Sequence, residues 1–120
     1  MWQKAHRATL IAIEIVNALP LKPGIARFAD QLVGAVSSIA ANIAEGHGDY
    51  SGKEFPRYLR IALASAHETD NWVQVFKDST TLKGFVSREE LNELEGLNIE
   101  VIRMLNTLIK RIEAKRRGDG

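Results

Sequence analysis

With 120 residues, 16 of them basic and 15 acidic, the chain carries a formal charge of +1. That near balance gives no bulk electrostatic reason to hold a polyanion or an anionic membrane. It contains no cysteine, which excludes disulfides, thiolate chemistry and cysteine zinc sites and fits a reducing, cytoplasmic setting. One domain fits this length, and a core of this size gains materially from oligomerisation.

The first predicted helix spans about residues 2–19. Its apolar stretch from Ala8 to Leu19 is interrupted by Glu14 and Asn17, so it reads neither as a signal sequence nor as a bilayer span. Pro20 stops it, and Leu21-Lys22-Pro23-Gly24 makes a turn, because proline donates no amide and restricts the residue before it.

The second helix, about residues 25–45, contains the run QLVGAVSSIAANIA from Gln31 to Ala44 without a single charge. A surface helix needs a charged outer face, so this one is predicted to be packed on every side. Leu32, Val33, Val36, Ile39, Ala40 and Ile43 gather on one face. Gly34, Ser37, Ser38 and Ala41 form a small, smooth face opposite, predicted to be the contact with another copy of the chain. Gly46-His47-Gly48 is predicted to end the helix in a left-handed glycine cap.

Ser51 with Glu54, and Ser87 with Glu90, have the spacing of a capping box. They predict a third helix over about 51–79 and a fourth over about 87–115, with Pro56 shifting the third start by a few residues. Apolar residues from Phe55 to Phe76 cover ~200° of the third helix, wider than one partner needs. In the fourth, Leu91, Leu94, Asn98, Val101, Leu105, Leu108 and Ile112 alternate three and four apart, the spacing of a packed seam. Asn98 interrupts it, a placement that fixes register at some cost in stability. The tail Arg116 to Gly120 is predicted to be mobile. The fold class is all-α, an up-down four-helix bundle elongated along helices of ~40 Å.

Motifs for chemistry are sparse. Gly46 to Lys53 departs from a phosphate loop in glycine spacing, in the residue after the lysine and in the preceding helix. Ser51 replaces the last glycine of a dinucleotide fingerprint. No Glu-x-x-His pair suits a di-iron bundle. Glu45, His47 and Asp49 surround one turn and are read as turn and cap residues in preference to metal ligands. Arg60 and His67 lie on one helix face and resemble the Arg-x(4 to 6)-His signature of HEPN ribonucleases, with Ile61 where those enzymes carry a polar residue. There the imidazole would move a proton and the guanidinium would steady a phosphate. No catalytic, cofactor or metal residue is assigned, and a non-enzymatic protein is expected.

Two basic groups have the composition of a phosphate-binding surface: Lys53, Arg57 and Arg60 on the third helix, and Lys110, Arg111, Lys115, Arg116 and Arg117 at the end of the fourth. The bland reading is a solvated stripe in the first case and complementation of the helix dipole in the second.

Asn42-Ile43-Ala44-Glu45-Gly46, then Glu54-Phe55, Leu59, Ala62 and Ser65-x-x-Glu68, closely resemble the small four-helix-bundle proteins encoded inside 23S rRNA intervening sequences of bacteria. Leu19-Pro20 and Phe28-x-x-x-Leu32 fit as well. The resemblance implies a homopentameric, barrel-like ring. It also implies distant kinship to the accessory bundles of diversity-generating retroelements, which partner a reverse transcriptase and nucleic acid. Asp49 stands where members often carry arginine, and Ala64 where they carry glycine. The resemblance supplies an assembly but no reaction. Asn42, Glu45, Ser65 and Glu68 are expected to form a polar clasp between the second and third helices, so Glu45→Ala is expected to lower stability or disrupt the ring. The functional expectation is an oligomeric scaffold or adaptor, associated with RNA or an RNA-handling partner. A direct binder of RNA or DNA is the alternative, and a metal-independent ribonuclease using Arg60 and His67 the third reading.

Overall fold

Punctuation by proline and by serine caps divides the chain into helices. A computed structural model describes residues 1–20 and 22–118. Among them five helices form in place of the expected four: α1 Trp2–Asn17, α2 Pro23–Gly48, α3 Phe55–Asp78, α4 Thr80–Lys83 and α5 Arg88–Arg116. The extra element, α4, is a single turn started by Ser79, whose hydroxyl accepts from the Leu82 amide at 3.1 Å. Ser79 also follows the last residue of α3, so one residue closes a helix and opens the next.

Several helix ends differ from expectation for identifiable reasons. Ser87 does cap α5, accepting from the Glu90 amide at 3.2 Å. Ser51 caps nothing: α3 begins at Phe55, with Pro56 in its first turn where a missing amide is harmless. The helix α2 continues through Gly46 to Gly48 and is capped by Asp49 at φ −125°. No left-handed glycine ends it, and among the described residues only Gly118 has positive φ. Gly46 serves packing instead of turning: a Cβ there would lie 3.1 Å from the Phe55 ring. Within the turn before α2, Leu21 lies outside the described residues, as do residues 119 and 120 of the tail.

The four long helices alternate in direction. Ser65 on α3 meets Ser38 on α2 while Phe55 meets Gly46, and Lys4 and Arg7 on α1 meet Glu100 and Glu93 on α5. Both sets run antiparallel. The bundle measures 52 × 20 × 20 Å, so it is long and one core thick. Ile15, Leu32, Ile39, Ile43, Leu59, Phe76, Leu94 and Leu105 are fully enclosed along its axis, and each such side chain contributes ~1.5–3 kcal/mol relative to exposure. Asn98 is buried among them and donates to the Ala66 carbonyl of α3.

Candidate functional site

Helices α1 and α2 pack side by side and share an outward face. Thr9 ties the two helices, its hydroxyl lying 3.0 Å from the Ala5 carbonyl and 3.4 Å from that of Val36. Beside this seam α1 exposes Trp2 at 38%, Leu10 at 50% and Ile13 at 44%. Such values are high for large apolar side chains spaced along one helix face. Next to them α2 exposes Gly34, Ala41 and Ala44, with Ser37 half-buried. A side chain added at Gly34 would meet nothing within 4 Å. In the single chain, then, α2 is not enclosed on every side: its small face is open. Ser38 does not share that face, because it turns toward α3 and takes part in the α2–α3 contact.

The expected clasp is smaller than the sequence suggested. Ser65 donates to the Ser38 hydroxyl at 2.9 Å, and Asn42 donates to the Ser38 carbonyl at 2.8 Å and to its hydroxyl at 3.0 Å. Glu45 and Glu68 stand outside, both exposed. Glu68 accepts only a long contact from the Trp72 indole at 3.4 Å, and Glu45 has no hydrogen bond or ion pair among the described residues. Carboxylates avoid burial where two serines and an amide satisfy the seam without charge.

The basic stripe of α3 is largely engaged. Arg57 pairs with Glu54, which holds its guanidinium protonated above the ordinary range, and lies 4.8 Å over the Tyr58 ring. Arg60 pairs with Glu113 of α5. Lys53 is exposed. At the far end of α5, Lys110, Arg111 and Lys115 are exposed, and Arg116 donates to the Gly52 carbonyl at 2.8 Å. His67 and Arg60 lie on the exposed side of α3, but the guanidinium proposed to meet a phosphate is already held by a carboxylate. Glu45, His47 and Asp49 do not converge either. Asp49 accepts from the Glu54 amide at 3.1 Å, and the His47 ring stacks on Tyr50 with centroids 6.3 Å apart. Among the described residues no group of three or more His, Cys, Asp or Glu is placed to hold a metal.

The sequence profile of the 23S rRNA-intervening sequence proteins matches residues 1–107. The chain belongs to that family. Its fold is similar to a solved structure from the S23 ribosomal protein family, a protein of unknown function from Bacteroides thetaiotaomicron, with a TM-score of 0.77. The two are 23% identical, and the likeness covers 91% of this chain and 97% of the other. No curated protein sequence matches. Membership in the 23S rRNA-intervening sequence family bears out the resemblance drawn from Asn42 to Gly46. The structure adds what that motif does: Asn42 joins the serine contact, and Gly46 lets Phe55 close against α2.

Two features escaped the sequence reading. The Trp2, Leu10, Ile13 stripe was visible as an apolar spacing, but α1 shows enough such positions that only packing reveals which stay outside. The α2–α3 turn is shaped by Asp49, whose carboxylate fills the space where a Gly52 side chain would project; a short Asx turn was the available signal. No described helix is long and apolar enough to cross a membrane.

Proposed function

We propose that this member of the 23S rRNA-intervening sequence family is a non-catalytic assembly module whose copies join through the outer face of α1 and α2. The assembled bundles form a cytoplasmic scaffold or adaptor for RNA or an RNA-handling partner. The observation that carries this reading is the run of exposed Trp2, Leu10 and Ile13 beside the small residues Gly34, Ser37 and Ala41. In a ring of copies each contact is heterologous, so the large apolar knobs of one subunit would meet the smooth strip of the next. Five copies are what the family resemblance implies.

The engagement of Arg60 by Glu113 and of Arg57 by Glu54 supports a scaffold over a ribonuclease or a direct phosphate binder, since each cation would first have to leave a carboxylate. Light scattering on the purified chain tests the assembly. At micromolar concentration it is expected to report a multiple of the 13.3 kDa subunit, and Gly34→Arg, which has room within the subunit, is expected to reduce it to single chains of unchanged helicity. A wild-type protein that scatters as one chain would overturn the reading.

A further inference from the structure

An open slot of about 390 Å³ lies between the C-terminal part of α5 and the α2–α3 turn. Leu108, Ile112 and Phe55 line its floor, and Arg111, Lys115 and Arg116 stand around it. Leu108 and Ile112, like Arg111 and Lys115, are four apart on α5 and therefore stacked one turn above another. Among the described residues no acid lines the slot. Glu113, on a neighbouring position of α5, is turned away to Arg60 of α3.

We infer that this slot receives an amphipathic helix of a partner protein, one with an apolar stripe and glutamates or aspartates on its flank. The groove offers ridges at helical spacing, which suit a packed helix. Its cations Arg111, Lys115 and Arg116, which form no ion pair among the described residues, suit acids on that helix and would repel a basic one. A nucleic-acid strand is less well served, because the floor is apolar and the cations that would extend a phosphate track, Arg57 and Arg60, are paired with Glu54 and Glu113. None of its lining residues belongs to the α1–α2 outer face.

The probe is a fluorescein-labelled, amidated synthetic helix of about fourteen residues, ~20 Å long, with leucines on one stripe and glutamates beside it. Fluorescence anisotropy against the full chain is expected to show saturable binding that weakens as salt rises. The double substitution Arg111→Glu, Lys115→Glu is expected to weaken it about tenfold or more, while circular dichroism, melting and subunit count stay as in the wild type. A companion peptide with lysine for every glutamate is expected not to bind. The inference is overturned if the acidic peptide fails to bind, if the lysine peptide binds equally, or if the double variant binds unchanged. Tighter binding of a labelled oligouridylate at these residues would assign the slot to RNA. Loss of self-assembly in the double variant would assign it to a second copy.

Discussion

Asn98 on α5 donates from Nδ2 to the carbonyl oxygen of Ala66 on α3 at 2.8 Å, inside the core and 1% exposed. Its Oδ1 has no partner among the described atoms. One hydrogen bond thus sets the α3–α5 register while one acceptor is left buried and unpaired, an arrangement that specifies more than it stabilises.

Replacing Asn98 by leucine, similar in shape, removes the orphan acceptor and is expected to raise stability by ~1 kcal/mol. Urea denaturation measures this directly. A loss of similar size would mean that the bond to Ala66 outweighs the desolvation of the amide.

Gly46→Ala places a methyl 3.1 Å from the buried Phe55 ring. Alanine favours a helix interior by up to ~1 kcal/mol, but shifting a packed ring costs ~1–3 kcal/mol. A net destabilisation of ~1 kcal/mol is expected in the same denaturation assay, with Phe55→Leu in the same chain relieving part of it.

Lys77 and Gln74 both donate to the Glu95 carboxylate, at 2.7 and 2.6 Å, where the Lys77 side chain is only 12% exposed. The hydrogen bonds from Lys77 and then Gln74 hold the Glu95 carboxyl below its ordinary value of 4.5, against the opposing effect of partial burial. Because the folded state binds this proton less readily than the unfolded chain, the stabilisation is complete above the unfolded value and is lost as pH falls through the folded one. Glu95→Gln should flatten that part of the acid limb in a pH series of thermal melts. An unchanged limb would show that the pair adds nothing measurable.

Ser65→Ala removes the donor to Ser38 and is expected to cost ~1 kcal/mol. Glu45→Ala, by contrast, is expected to lie within ~0.5 kcal/mol of the wild type, as substitutions at unengaged surface sites do. The motif alone predicted a loss of stability for Glu45→Ala. Parallel denaturation curves of the two variants decide it.

How much of this was legible beforehand differs from residue to residue. Ser87 with Glu90 announced its helix start correctly, because a cap is made within one turn by neighbours in sequence. Ser51 with Glu54 had the same spacing and failed, since the Asp49 carboxylate takes the Glu54 amide first and Pro56 sets the start of the helix. Asn98 was recognisable as a polar interruption of the seam, but its acceptor, Ala66, is remote in sequence and follows only from how α3 lies against α5. The basic group of α3 was legible as a row of cations and illegible as a set of ion pairs, because Glu113 reaches Arg60 across two helices.

The sequence by itself determined that this chain is helical, where most helices begin, which positions are apolar enough for a core, and which family it joins. Those properties depend on caps, prolines and periodicity, which act over a few residues. Only the tertiary structure decided that Gly46 is a contact instead of a stop, that Glu45 and Glu68 stay outside the serine clasp, and that Arg60 is held by Glu113. Each of these depends on the relative register of two helices, and that register is set by the fit of side chains from separate segments, a quantity no local pattern contains.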